Sequence, residues 1–265
     1  IDRYKMLILD LLKEELAADG ITIRGIYERS DAKVREQEGM KREKVFLSEP
    51  FDTKVQIVEN GVKYMVDVED GQKTGFFVDQ RENRHLLERY SKGRNVLNMF
   101  CYTGGFSFYA MRGGANLVHS VDSSAKAIDL TNQNVELNFP GDERHQAFAE
   151  DAFKYLDRMG DQYDLIILDP PAFAKHRDAL RNALRGYSKL NAKAFEKIKP
   201  GGILFTFSCS QVVDKKDFRN AVFTAAAQSG RSVRILHQLT QPGDHPVNIY
   251  HPEGEYLKGL VLYVE

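Results

Sequence analysis

"NVLNMFCYTGGFS" (residues 95–107) decides the fold. A short run, apolar on nearly every residue, passes directly into a loop holding two adjacent glycines. A strand without alternating polar residues is one buried on both faces, as a parallel sheet covered by helices requires. Three further runs share its character: "LVHSVD", "YDLIILD" and "GILFTFS". Helical patterns such as "SAKAIDLTNQNVELN" lie between them. The alternation predicts a doubly wound, Rossmann-like α/β domain over residues 91–265.

Upstream, the character changes near "YSKGR". An amphipathic helix over about Arg3 to Ala18 leads into the β-prone segments "ITIRGIYE", "KVFL", "KVQIVE" and "VKYMVDV". The last two are joined by Asn60-Gly61, a strong hairpin signal. Residues 1–90 therefore read as a small α+β domain. No internal repeat or low-complexity tract interrupts either part.

With 265 residues, 42% hydrophobic and 28% charged, the chain can bury one substantial core and a smaller appended one. No apolar run approaches the roughly 20 residues that span a bilayer, and no signal peptide is visible, so a soluble, cytoplasmic protein without a membrane partner is expected. The first residue is Ile rather than Met, which points to a piece of something longer. Cys101 and Cys209 are the two cysteines. They lack CxxC spacing, which argues against a disulfide framework and a cysteine-rich zinc site, and no metal is expected. The net charge of −1 supplies no global basic field, so a nucleic-acid partner would have to be met by a local patch.

Ligands of such sheets sit outside the carboxyl ends of the strands. After the first strand, Gly104 and Gly105 let the backbone approach a ligand closely, although an ordinary strand-to-helix turn would also use them. Asp122 follows roughly 20 residues on, where an acid accepts hydrogen bonds from ribose hydroxyls; its other reading is a helix cap. The glycine spacing is not GxGxxG, so the expected cofactor carries a nucleoside but no pyrophosphate. "AEDAF" places Asp151 after a short strand at His145 to Ala149, and "LIILDPPAF" places Asp169 after the next. Pro170 and Pro171 lack N–H donors and must leave the sheet as a rigid, extended loop, holding Asp169 at the pocket edge.

The series "LNMFCYTGGFS", "VDSS", "EDAF", "LDPPAF" and "TFSCS" resembles the class I S-adenosylmethionine-dependent methyltransferases, and within them the RlmI-type 23S rRNA cytosine-C5 methyltransferases. "GFFVDQREN" and "DHPVNIYHPEGEYLKGL" look like that family's as well. The resemblance implies a seven-stranded sheet ending in an antiparallel pair, behind a small α+β domain. It implies S-adenosylmethionine as cofactor, held by Phe100, Tyr102, Thr103, Gly104, Gly105, Asp122, Ser123, Asp151, Ala152 and Asp169. By the same resemblance Gln80, Arg81 and Arg84 reach the cofactor or close its pocket toward the substrate, and Asp244, His245, Tyr256 and Lys258 line the target-base side. Pro170, Pro171, Phe173 and Lys175 belong to the substrate-side candidates. Family members usually begin with a PUA-type RNA-binding domain, which this sequence does not contain. The implied partner is 23S rRNA, and a homodimer is compatible with the sequence.

Cytosine C5 is a poor nucleophile until a thiolate adds to C6 and converts C5 into an enamine carbon. That chemistry needs a cysteine beside a carboxylic acid able to hydrogen-bond N3. Cys209, flanked by Ser208 and Ser210 at a strand end, is the expected nucleophile, with Asp169 as the acid. Cys101 reads as a buried small hydrophobe. Where many RNA cytosine-C5 methyltransferases carry a second cysteine after the prolines, this chain has Ala172, so another base must release product. Two alternatives stand: methylation of a purine nitrogen gripped by Asp-Pro-Pro and Phe173, or a nucleotide-binding module without catalysis. Between Lys175 and Lys199, eight Lys or Arg face two acids. Arg177, Arg181, Arg185, Lys189, Lys193 and Lys197 recur at every fourth position, the spacing of one helical ridge that could track RNA phosphates, with Gly186 as a potential break.

Overall fold

The computed structural model describes residues 2–265. By contact the chain forms two units, Ile1–Gln56 with Val66–Phe76, and Ile57–Met65 with Phe77–Glu265. In the first, α1 (Lys5–Ala18) precedes β1 (Tyr27–Ser30), α2 (Val34–Gln37) and β2 (Glu43–Phe46). The strands β1 and β2 pair antiparallel, with Tyr27 opposite Phe46 and their rings edge to face. Lys5 of α1 donates to Glu28 at 2.7 Å. The amphipathic pattern expected of α1 is not reflected in its burial: Met6, Leu7, Ile8, Leu11 and Leu12 are exposed and only Leu9 is buried. The strand expected over "ITIRGIYE" shortens to its end, residues 21–26 having no regular structure.

The strands β3 (Lys54–Glu59) and β4 (Val62–Asp67) form the expected hairpin. Asn60 and Gly61 both have positive φ, 48° and 82°, as a two-residue turn of the I′ kind demands. Next comes α3 (Arg81–Tyr90). It packs with the second unit, although the change of character in the sequence groups residues up to 90 with the first domain. Arg84 explains that placement: it is 2% exposed, and its Nε and terminal nitrogen donate to Glu59 at 2.8 and 2.7 Å. Burial opposes the arginine's charge, but the Glu59 carboxylate outweighs it and raises the Arg84 pKa.

From here strands and helices alternate: β5 (Asn95–Met99), α4 (Gly105–Arg112), β6 (Leu117–Asp122), α5 (Ala125–Asn138), β7 (His145–Ala149), α6 (Ala152–Arg158), β8 (Leu165–Leu168), α7 (Leu180–Lys197), β9 (Gly202–Ser208) and α8 (Lys215–Ser229). Two more strands follow, β10 (Val233–Leu239) and β11 (Lys258–Val264). The sheet has seven strands in the order β10-β11-β9-β8-β5-β6-β7. The five strands β5 to β9 run parallel, while β11 is antiparallel to both β9 and β10. Every residue of β8 and β9 is buried, the physical counterpart of their unbroken apolar sequence. Chain order reverses at β5, between β6 and β8, which makes the loops after β5 and β8 the natural crevice.

Gly186 does not break α7. A Cβ there would lie 3.0 Å from the Phe173 ring, so the glycine makes room for that ring on the helix. Among the described residues no helix is long and apolar enough to cross a membrane, and no group of three His, Cys, Asp or Glu is placed to hold a metal.

Removing one partner of a buried ion pair strands the other charge, so Glu59→Ala should cost about 3–5 kcal/mol in urea unfolding. Glu88→Ala, at the more solvent-exposed pair with Arg112, should cost clearly less because water screens it. Equal losses would show that the Glu59–Arg84 pair does not anchor α3.

Candidate active site

The loop between β5 and α4 is held in an unusual backbone conformation. Phe100 and Tyr102 have φ of 58° and 48°, and Gly104 has φ of 84°. Left-handed conformations cost non-glycine residues of order 1–3 kcal/mol and persist where surroundings enforce them. Here the Tyr102 amide donates to Asp122 Oδ2 at 3.0 Å, and Thr131 donates to the Tyr102 carbonyl at 2.9 Å. Thr103 is buried at the centre of the loop.

Asp122, at the end of β6, accepts the Ser124 amide on its other oxygen at 2.9 Å. The cap of α5 is Ser124, not Asp122, since the Ser124 hydroxyl accepts from the Ala127 amide. A carboxylate offers about four acceptor sites. Two amide bonds thus leave Asp122 able to take ribose hydroxyls, and Ser123 is exposed beside it. Asp151 caps α6 by accepting from the Lys154 amide, with Ala152 buried as the first helical residue. This donor set, an acid beside an open-backbone loop and a second acid at the next strand end, fits a nucleoside cofactor with no pyrophosphate.

On the other side of β5, the parallel register of β8 with β9 sets Leu168 opposite Thr206, so both strands end at one edge. Asp169 follows β8 and Cys209 follows β9. The Cys209 Sγ lies 4.0 Å from the Pro170 carbonyl oxygen, and Gln80 donates to Asp169 Oδ2 at 2.9 Å. Asn83 in turn donates to Gln80 Oε1 at 2.6 Å, which fixes the amide's orientation. The serines around Cys209 are anchors that no sequence motif marks. Ser208 donates to the Tyr187 hydroxyl at 2.9 Å, and Ser210 donates to the Ala174 carbonyl at 2.6 Å. Tyr187 lies in α7 and packs on Phe173, with ring centroids 4.6 Å apart.

Lys258 completes this edge. It is 4% exposed, pairs across the sheet with Ser208, and donates from Nζ to the carbonyls of Ser210 and Tyr256 at 2.5 and 2.8 Å. Burial pulls its pKa down to about 8, against the attraction of a negative charge at Cys209. Tyr256 donates to Asp79 Oδ2 at 2.6 Å. Asp79 is a buried carboxylate that the sequence does not single out, because an acid at the start of a helix normally reads as a first-turn charge. Arg81 donates to Asp244 at 2.6 Å, and Asp244 also meets His245 at 3.1 Å.

Several expectations need correction. The Arg84 guanidinium is buried on Glu59, while its side chain packs against Gly105, where the loop after β5 enters α4. Phe173 is not a free aromatic grip, being stacked on Tyr187 against Gly186. The basic ridge is split: Lys193 pairs with Asp157 and Lys189 lies over the Phe153 ring, both toward α6, while Arg177, Arg181 and Arg185 are exposed with Lys175 near the Asp-Pro-Pro loop.

The two thiols differ in access. Cys101 is 6% exposed and burial pushes its pKa far up, whereas Cys209 is half-buried. Iodoacetamide should label Cys209 at least about tenfold faster than Cys101, since reaction follows thiolate character and access. Peptide mass mapping over time reads this, and equal rates would mean that Cys209 is as enclosed as Cys101.

The family model described as S-adenosylmethionine-dependent methyltransferase matches residues 38–257. A protein of Aeromonas hydrophila named Ribosomal RNA large subunit methyltransferase I is 47% identical over 242 residues, covering 89% of this chain and 61% of that protein. One of the same name from Tolumonas auensis is 44% identical over a similar span. The chain thus spans about three fifths of the length of these relatives. Among solved structures, a Streptococcus mutans protein proposed to be a SAM-dependent methyltransferase superposes with a TM-score of 0.74 at 28% identity, covering 83% of this chain and 58% of that one. A match that runs through both loop clusters and across the whole parallel part of the sheet makes this chain a member of the S-adenosylmethionine-dependent methyltransferase family.

Proposed function

We propose that this chain carries out methylation of C5 of a cytosine in large-subunit (23S) ribosomal RNA through a covalent adduct of Cys209. The observation that carries the reading is the juxtaposition of Cys209 and Asp169 at one sheet edge, beside the loop cluster suited to a nucleoside cofactor. The relatives named for large-subunit ribosomal RNA support the substrate class.

Phe100, Tyr102, Thr103, Gly104, Gly105, Asp122, Ser123, Asp151 and Ala152 would hold S-adenosylmethionine, and Gln80 and Arg81 would border it. When bound, the cofactor supplies an electrophilic methyl carbon on a sulfonium. Cys209, as thiolate, adds to C6 of the cytosine, and the buried Lys258 ammonium favours the thiolate form. Asp169, held by Gln80, acts as the acid: it gives its proton to N3 as the sulfur–C6 bond forms, so that the electrons displaced onto N3 are neutralised, and takes that proton back when C5 gains the methyl group. Pro170 and Pro171 keep the carboxylate fixed relative to the thiol. Tyr256, Lys258 and His245 lie on the target-base side. Capture of a purine amino group by Asp-Pro-Pro is less well supported, because Phe173 is committed to Tyr187.

A serine hydroxyl is a far weaker nucleophile at neutral pH than a thiolate, so Cys209→Ser should abolish methyl transfer while leaving S-adenosylmethionine binding, read by calorimetry, unchanged. 5-Fluorocytidine-containing RNA should trap the unaltered chain as a covalent complex. Full activity of Cys209→Ser would remove the cytosine-C5 reading.

RNA phosphates would be met by Lys175, Arg177, Arg181 and Arg185, the cations that α6 does not engage. Replacing Arg181 and Arg185 with Gln should weaken RNA binding and flatten the dependence of log K on log salt by about 0.7 for each phosphate no longer neutralised. Lys193→Gln should leave that slope unchanged, since Asp157 already holds the amine. A filter-binding series in which the arginine variants keep the slope would place RNA elsewhere.

A further inference from the structure

We propose that Asp79 is the base that takes the C5 proton and so releases the methylated product, an inference that rests on the cytosine-C5 reading above. Asp79 is 7% exposed. Its Oδ2 accepts from Tyr256, while Oδ1 is fully buried and has no hydrogen-bond partner among the described residues. Buried polar atoms in folded proteins are almost always paired, and an unpaired carboxylate oxygen is among the costliest exceptions. Oδ1 is thus the oxygen of this carboxylate that the described residues leave uncommitted.

Two independent connections bring Asp79 to the Cys209 edge. Its neighbour Gln80 holds Asp169 at 2.9 Å. Its partner Tyr256 lies two residues before Lys258, whose Nζ bonds the carbonyl of Ser210, next to Cys209. Burial and the hydrogen bond to Asp79 raise the Tyr256 pKa, and the nearby Cys209 adds to the rise. The other acids nearby are committed: Asp169 to Gln80 and N3, Asp244 to Arg81 and His245, Asp151 to the cap of α6.

After methylation C5 carries both a hydrogen and the methyl group, and C6 carries the Cys209 sulfur. Asp79 Oδ1 takes the proton from C5. The electrons of the C5–H bond form the C5–C6 double bond, and those of the C6–S bond return to sulfur as the thiolate. Asp79 is left as a neutral acid and loses its proton to solvent. The Tyr256 hydroxyl keeps Oδ2 occupied, so that Oδ1 is the oxygen left to take the proton.

Asp79→Asn preserves shape and the acceptor for Tyr256 but cannot take a proton. With unmodified 23S rRNA transcript and S-adenosylmethionine, it should accumulate a covalent protein–RNA complex on denaturing gels, with release slowed at least about 100-fold. With 5-fluorocytidine transcript, Asp79→Asn and the unaltered chain should trap alike, since no proton is then available to remove. Turnover of Asp79→Asn within about twofold of the unaltered chain, well under the loss of a general base, overturns the proposal. So does loss of turnover without accumulation when the fluorinated RNA still traps. An unaltered chain that fails to trap fluorinated RNA overturns the underlying reading instead, and this inference with it. Should Asp79→Asn not fold, Tyr256→Phe keeps the carboxylate but loses its orienting donor; it should accumulate a smaller amount of complex, and none would count against Asp79.

Discussion

The parallel pairing of β8 with β9 is the constraint on which the site depends, because it determines where two chemically distinct loops begin. Leu168, the last residue of β8, stands opposite Thr206, and β9 runs two residues further to Ser208, so the chain leaves both strands along the same edge. The thiol after β9 then lies against the carbonyl of Pro170, the residue that follows the carboxylate of Asp169, without any residue having to reach. Pairing of β11 against β9 adds the third member, since the register that sets Lys258 opposite Ser208 brings a buried amine to the same edge. Side-chain length does little here; strand register does the positioning.

Much of the polar chemistry around this edge is scaffolding. Ser208 and Ser210 tie the Cys209 segment to α7 and to the Asp-Pro-Pro loop. Gln80 and Asn83 form a relay that orients Asp169. Asp122 braces the strained loop at Tyr102 before any ligand is considered. Such bracing matters because two left-handed non-glycine residues would relax without it, and the loop would lose its shape. Preorganisation of this kind removes the ordering cost that a mobile loop would impose on binding or catalysis.

The helix α7 shows how a charge pattern is edited by its neighbours. In sequence its cations repeat every fourth position along the whole helix. In the fold, α6 lies alongside the carboxyl-terminal half and engages Lys189 and Lys193 through Phe153 and Asp157. Only the half next to the Asp-Pro-Pro loop keeps exposed arginines. A protein with a net charge of −1 thereby presents a local positive surface at one end of the sheet.

Sequence alone determined the doubly wound sheet, because unbroken apolar runs between helical patterns can be buried in few other ways. It also determined the Asn60-Gly61 turn, where backbone conformation is dictated by residue type. The loops carrying Gly104, Asp122, Asp151, Asp169 and Cys209 were legible for the same reason, since each follows a strand end. What only the tertiary structure decided were the partners. Arg84 looks like a pocket residue in "DQREN" until Glu59, 25 residues away, is seen to bury it. Asp79 looks like a first-turn acid until Tyr256, 177 residues away, takes one oxygen and the other is buried without a partner among the described residues. Local sequence encodes the preferences of the backbone, whereas the cost of burying a charge depends on which distant group the fold sets beside it.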